Sequence, residues 1–156
     1  MKIINGREPL RRHTSFAKRN DPPGTIAMMI DIRIKRVYDP VEPDDGFRVL
    51  VDRLWPRGLT KAKVRADLWL KEAAPGTILR KWFGHDRSKW NEFRTRYLAE
   101  LSGAPEVADR LLDEAKTGRG VTLLYAARDT ECNHAVVLRE YLLGRLGIGE
   151  GPRESP

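Results

Sequence analysis

Val121-Thr-Leu-Leu-Tyr-Ala-Ala-Arg-Asp-Thr-Glu-Cys-Asn-His-Ala-Val-Val-Leu-Arg-Glu-Tyr-Leu142 carries the strongest structural signal in the sequence. It opens with an apolar, partly β-branched run, Val121 to Ala127, of the length and composition of a strand buried on both faces. It closes with Val136, Val137, Tyr141 and Leu142, spaced to line one side of a helix. Between them sit Arg128, Asp129, Thr130, Asn133 and His134. A strand that passes through a short polar turn into a helix aims backbone N–H groups and the positive helix end at the crevice beyond the strands. A ligand site is expected there.

Working outward, Asp31 to Tyr38 alternates polar and apolar residues, as a strand with one solvated face does. Two prolines, three aspartates and Gly46 then make a surface loop. Arg48 to Trp55 is a second strand, stopped by Pro56 and Gly58, and Lys61 to Val64 fits a helical turn. Asp67 to Lys71 is a short third strand. Three helices follow. The first is capped by Thr77, carries Ile78, Leu79, Trp82 and Phe83, and ends at Gly84. The second is capped by Asp86 and has Trp90, Phe93, Tyr97, Leu98 and Leu101 on one stripe. The third starts at Pro105 and turns Val107, Leu111, Leu112 and Ala115 inward. The pattern predicts a single α/β layered domain. Its apolar strand at 121 lies centrally in a mostly parallel set, flanked by the strands at 32 and 48, with helices packed on the sheet. The connection of about 60 residues between the strands at 48 and 121 is long enough for a parallel crossover.

The ends read differently. Residues 1–28 show no sustained apolar period and are expected to form a flexible basic extension, with 29–146 as the domain and 147–156, rich in Gly, Pro and charge, as a flexible tail. Met28 and Met29 immediately precede the first strand, so either makes a natural start of translation. Of the net charge of +7, residues 1–27 carry +4, through six basic and two acidic side chains. The basic balance is therefore largely a property of the extension, and a nucleic-acid function does not follow from it. Weak, non-specific nucleic-acid binding through that arm is the most it implies. No apolar run reaches the roughly 20 residues of a membrane span. A lone cysteine, Cys132, fits a reducing cytoplasm.

The second strand ends in Val51-Asp-Arg-Leu-Trp-Pro-Arg-Gly58, which brings Asp52, Arg53, Trp55 and Arg57 to its carboxyl end. If it runs parallel to the strand at 121, these residues share a rim with Arg128, Asp129, Asn133 and His134. Three guanidinium forks beside a helix beginning suit phosphate or carboxylate, and Trp55 offers a stacking face. His134 is the candidate acid–base group, because the helix dipole favours its neutral ring, with Asp52 or Asp129 to orient it. Each residue also has a plain structural role: Asp52 bonding backbone, Trp55 in the core, Arg57 solvated, His134 bonded to Asp129 or a carbonyl. Cys132 follows an acidic neighbour and is a poor nucleophile. His13, His85 and His134 are far apart in sequence and there is no second cysteine, so no metal is expected. No Walker or dinucleotide glycine fingerprint occurs, so no cofactor is expected either. The stripe of Trp82, Phe83, Trp90, Phe93 and Tyr97 keeps helical spacing and reads as core.

Arg36-Val-Tyr-Asp39, Arg48 to Gly58, Trp69-Leu-Lys-Glu-Ala-Ala-Pro75, Leu79-Arg-Lys-Trp-Phe83 and Leu123 to Ala135 together resemble the YeaO-like branch of the domain of unknown function 488 (DUF488) family. The likeness spans about residues 32–143, and its Asp-Arg-Leu-Trp-Pro-Arg-Gly string is specific. It implies a compact bacterial or archaeal cytosolic α/β protein with no assigned reaction. Wider members carry a Cys-Ala-Glu…Cys-His-Arg pattern around the last strand and helix. Those cysteines fall here on Tyr125 and Asn133, the glutamate on Ala127 and the arginine on Ala135, so only the histidine persists, as His134. A MarR-type regulator label attached to some members finds no helix-turn-helix and β-wing pattern in this chain. The expectation is a domain that binds a small anionic or nucleotide-like ligand, with His134 available for proton transfer. A nucleic-acid-binding or regulatory interaction module without catalysis is the alternative.

Overall fold

The structure is a computed structural model describing residues 30–147. The expected extension (1–28), its Met28 and Met29 starts, and the tail beyond Gly147 lie outside these residues. Four strands, β1 (Ile32–Arg36), β2 (Phe47–Leu50), β3 (Leu68–Trp69) and β4 (Val121–Tyr125), form one sheet in the order β1-β4-β2-β3. Every neighbouring pair is parallel. The apolar strand is central, and all five of its residues are buried. Five α-helices accompany the sheet: α1 (Lys61–Val64), α2 (Thr77–Phe83), α3 (Trp90–Ser102), α4 (Pro105–Ala115) and α5 (His134–Arg145). The layered α/β fold read from the sequence is the fold observed.

Alternation along β4 divides the core in two. Val121, Leu123 and Tyr125 join Ile32, Val49 and Val51 in the main cluster, with side chains of α2 to α5. Leu124, Leu50 and Val37 face the other way, onto Val64, Trp55, Leu59 and Trp69. Helices therefore cover one face, while the connection from β2 to β3 folds over the other. Parallel strands need long crossovers, and burial on both faces explains why β4 shows no polar alternation. The aromatic stripe packs as the spacing predicts: Phe83 stacks on Phe93 with centroids 4.2 Å apart, and Phe93 lies 5.8 Å from Tyr97.

Local detail differs from the sequence reading in several places: β3 is only two residues long, and Asp86 caps a 3-10 turn, Arg87–Lys89, that precedes α3 rather than α3 itself. The second strand stops at Leu50 rather than Trp55, although Val51 still donates to the Leu124 carbonyl at 3.1 Å. Beyond it Asp52 and Trp55 bond other segments, and the neighbouring strands are too short to continue the ladder. Thr77 is the first helical residue of α2, not its cap; Gly76 holds that place, and its N–H is taken by Glu100 Oε1 at 2.9 Å. Ile78, expected inward, is 87 % exposed, because α2 turns Leu79 and Phe83 to the core instead.

Gly46 precedes β2 with φ +68°, a left-handed conformation that glycine adopts freely. A Cβ there would stand 2.6 Å from the Gly120 oxygen and closer still to that of Arg119. The buried cluster beside it is ionic. Asp45 holds both Lys35, at 2.9 Å, and the buried Arg48 guanidinium, which also donates to the Val64 and Arg65 carbonyls at 2.7 and 3.0 Å.

Candidate functional site

Because all four strands run the same way, the residues that follow them emerge on one carboxyl edge. The exits of β2 and β4 are bonded together there: the Ala126 N–H donates to Asp52 Oδ2 at 3.0 Å. His134, the first residue of α5, reaches the same point. Its Nε2 lies 2.9 Å from the Val51 carbonyl and 3.2 Å from Asp52 Oδ1. A carbonyl only accepts, so Nε2 carries the hydrogen, and Nδ1 makes no hydrogen bond among the described residues. Asp52 Oδ1 is buried and has no well-aligned donor. Behind the ring stands Tyr97, edge-on at 6.2 Å, its hydroxyl donating to the Ala73 carbonyl. Burial pushes the Tyr97 phenol well above its usual pKa, and the nearby Glu100 and Asp52 carboxylates push the same way.

The remaining sequence candidates fall into two groups. Asp129 does not approach His134 by any hydrogen bond shown; it is clamped by Arg87, Nε to Oδ2 at 2.7 Å and Nη2 to Oδ1 at 2.8 Å, and accepts the Glu131 and Cys132 N–H groups. The Arg87 hydrogen bond, with those backbone donors, holds its carboxyl far below the usual carboxylate range. Asn133 is buried and caps α5, accepting from the Val136 N–H at 3.1 Å and donating to the Asp129 carbonyl at 2.8 Å. Trp55 donates to the Leu59 carbonyl at 2.6 Å and meets Trp69 edge-on at 5.2 Å, so it serves the smaller core. In these three the geometry is that of turn, cap and packing.

The arginines remain on the edge. Arg53 points its fork at the Pro75 and Ala74 carbonyls, at 3.2 and 3.3 Å. Arg57 and Arg128 are exposed. The sequence reading missed a fourth, Arg36, the last residue of β1, which donates to the Ala127 and Ala126 carbonyls at 2.9 and 3.1 Å. Its guanidinium also covers the Tyr38 ring at 4.9 Å, and the Tyr38 hydroxyl donates to the Arg57 carbonyl at 3.0 Å. The signal for Arg36 was present: an arginine closing a strand parallel to its neighbours lands on the carboxyl rim. Among the described residues none of these four arginines pairs with a carboxylate, whereas Arg33, Arg48, Arg87, Arg94, Arg96, Arg119 and Arg145 do; Arg65, Arg80, Arg110 and Arg139, elsewhere in the chain, are also without one.

One acidic cluster, Glu42, Asp44 and Asp45, has metal-like spacing, but the Lys35 ammonium lies 2.9 Å from both Glu42 and Asp45. A cation is already in place. No helix among the described residues is long and apolar enough to cross a membrane.

The chain is a parallel α/β sheet domain with a histidine–aspartate contact at its carboxyl edge. The family model described as the inactive DUF488-N3 subclade matches residues 31–156, and the chain belongs to the DUF488 family. It is 49 % identical over 113 residues to the uncharacterized protein YeaO of Escherichia coli, covering 72 % of this chain and 97 % of that one. It is 42 % identical over 115 residues to the uncharacterized protein Rv3073c of Mycobacterium tuberculosis, covering 73 % of this chain and 95 % of that one. Mb3100c of Mycobacterium bovis aligns to the same extent. No solved structure matches.

Proposed function

We propose that this chain is a cytoplasmic binding domain for a small anionic ligand, held at the carboxyl edge without turnover. The observation that carries the reading is the set of arginines, Arg36, Arg53, Arg57 and Arg128, that meet carbonyls or solvent but no carboxylate among the described residues. Unpaired guanidinium forks suit phosphate or carboxylate, and ligands of open parallel sheets bind outside the carboxyl ends of the strands. His134 and Asp52 join the exits of β2 and β4 and so brace the rim. Binding rather than catalysis is favoured by two features. The matching subclade is described as inactive. And the two positions on which the cysteines of the wider-family pattern fall hold Tyr125, buried in the core, and Asn133, committed to capping α5.

Inorganic phosphate titrated against the full chain, followed by calorimetry, tests the reading. Arg57→Ala and Arg128→Ala should each weaken binding about tenfold, as expected for loss of a charged hydrogen bond. Deleting residues 1–27 should leave the affinity unchanged. Binding indifferent to both substitutions would remove the rim assignment. Affinity for DNA that disappears with 1–27 and falls steeply with salt would favour the nucleic-acid alternative instead.

A further inference from the structure

A cavity of about 610 Å³ opens at the amino edge of the sheet, away from the arginine rim. Its wall includes Val41 and Pro43 from the β1–β2 loop, Arg65, Ala66 and Asp67 ahead of β3, and Arg119 ahead of β4. Two other charges of the wall are committed elsewhere: Arg48 to Asp45 and two carbonyls, Glu42 to Lys35. Arg65 is not, and Arg119 is held only loosely. Arg65 makes no side-chain hydrogen bond or ion pair among the described residues. Arg119 makes one long, exposed ion pair, 3.8 Å from Asp67 Oδ2 and beyond hydrogen-bond distance, and its guanidinium lies over the Phe47 ring at 5.6 Å.

Arg65 also has φ +50°, a left-handed conformation in which a side chain is rarely tolerated and glycine is the natural choice. Its backbone is pinned there, the N–H donating to the Lys61 carbonyl at 2.9 Å and the carbonyl accepting from Arg48 Nε at 3.0 Å. The sequence thus keeps an unpaired guanidinium at a position where stability alone favours glycine, and backbone strain of this kind gathers at ligand sites.

We propose that this cavity binds a small organic anion, a phosphate or carboxylate on an apolar body, held between Arg65 and Arg119. Two guanidinium forks supply the bidentate grip, and Val41, Pro43 and Ala66 supply the apolar contact. The volume falls within the range of small-molecule sites and far exceeds a bare phosphate. The site shares no residue with the carboxyl rim and stands or falls separately from it.

The test uses the full chain carrying Arg57→Ala and Arg128→Ala, so that the two exposed arginines of the rim are gone. Phenyl phosphate, benzoate and inorganic phosphate are titrated at one ionic strength. Phenyl phosphate or benzoate should bind at least about tenfold more tightly than inorganic phosphate, and the stronger of the two names the head group. Arg65→Gly should weaken that binding about tenfold while Tm stays level or rises, because glycine suits φ +50°. Arg119→Ala should weaken it similarly. Failure of all three anions to saturate would overturn the proposal. So would equal affinity for inorganic phosphate, or affinity that survives the Arg65→Gly/Arg119→Ala pair.

Discussion

Asn133 uses both ends of its amide for structure. Replacing it with alanine removes the α5 cap and leaves the Asp129 carbonyl without its donor. Asn133→Ala should cost about 1–2 kcal/mol, read as a lower urea midpoint with unchanged m. Asp45 makes a stronger case. Burial works against its charge, but hydrogen bonds from Lys35, the Glu42 N–H and Arg48 outweigh that and hold its pKa below the usual carboxylate value. A carboxyl lowered by folding stabilises the native state above its unfolded pKa, and that contribution is lost as pH falls through the folded one. Unfolding midpoints should therefore fall below about pH 4, and less steeply in Asp45→Asn. That variant should itself lose about 3–5 kcal/mol, since it strands Arg48 in the interior. His134 and Asp52 were legible as neighbours once two strands were taken as parallel. The Arg87 clamp on Asp129 was not, because its members lie 42 residues apart and meet only through the packing of the segment ahead of α3 against the β4 exit.

At the scale of elements, hydrophobic period was a sound guide wherever an element was long or wholly buried. β4, α3 and α4 lie where their patterns place them. Short elements were decided by their neighbours: α2 gains its N-terminal partner from Glu100 on α3, a contact no local signal announces. Ile78 follows from the same rotation of α2. Ile78→Ser should change stability by no more than about 0.5 kcal/mol in thermal denaturation, whereas Leu79→Ala, one residue on and buried, should cost about 2–5 kcal/mol. Gly46 governs how β2 begins, under the turn that leads into β4. Gly46→Ala should fail to give soluble folded protein or lower Tm by more than 10 °C on the order of magnitude expected for a backbone clash at positive φ, with circular dichroism as the readout.

Across the whole molecule, the charge divides between a basic N-terminal stretch and a body in which carboxylates neutralise most arginines outside the strand ends. Deleting 1–27 removes +4 of the +7 net charge, so retention on a cation-exchange or heparin column should fall sharply. Equal retention would locate the basic surface in the body instead. Composition and period alone determined that this chain makes a layered α/β domain with Val121–Tyr125 at its centre, because burial on both faces demands an uninterrupted apolar run. They made a shared edge for the residues after β2 and β4 an expectation conditional on parallel strands, and the parallel pairing itself came from the structure. Which arginines are left without carboxylates, and that a cavity opens at the amino edge of the sheet, came from the tertiary structure alone. Pairing between charges, and the space between loop and strand, depend on segments far apart in sequence, and no local pattern records where those segments meet.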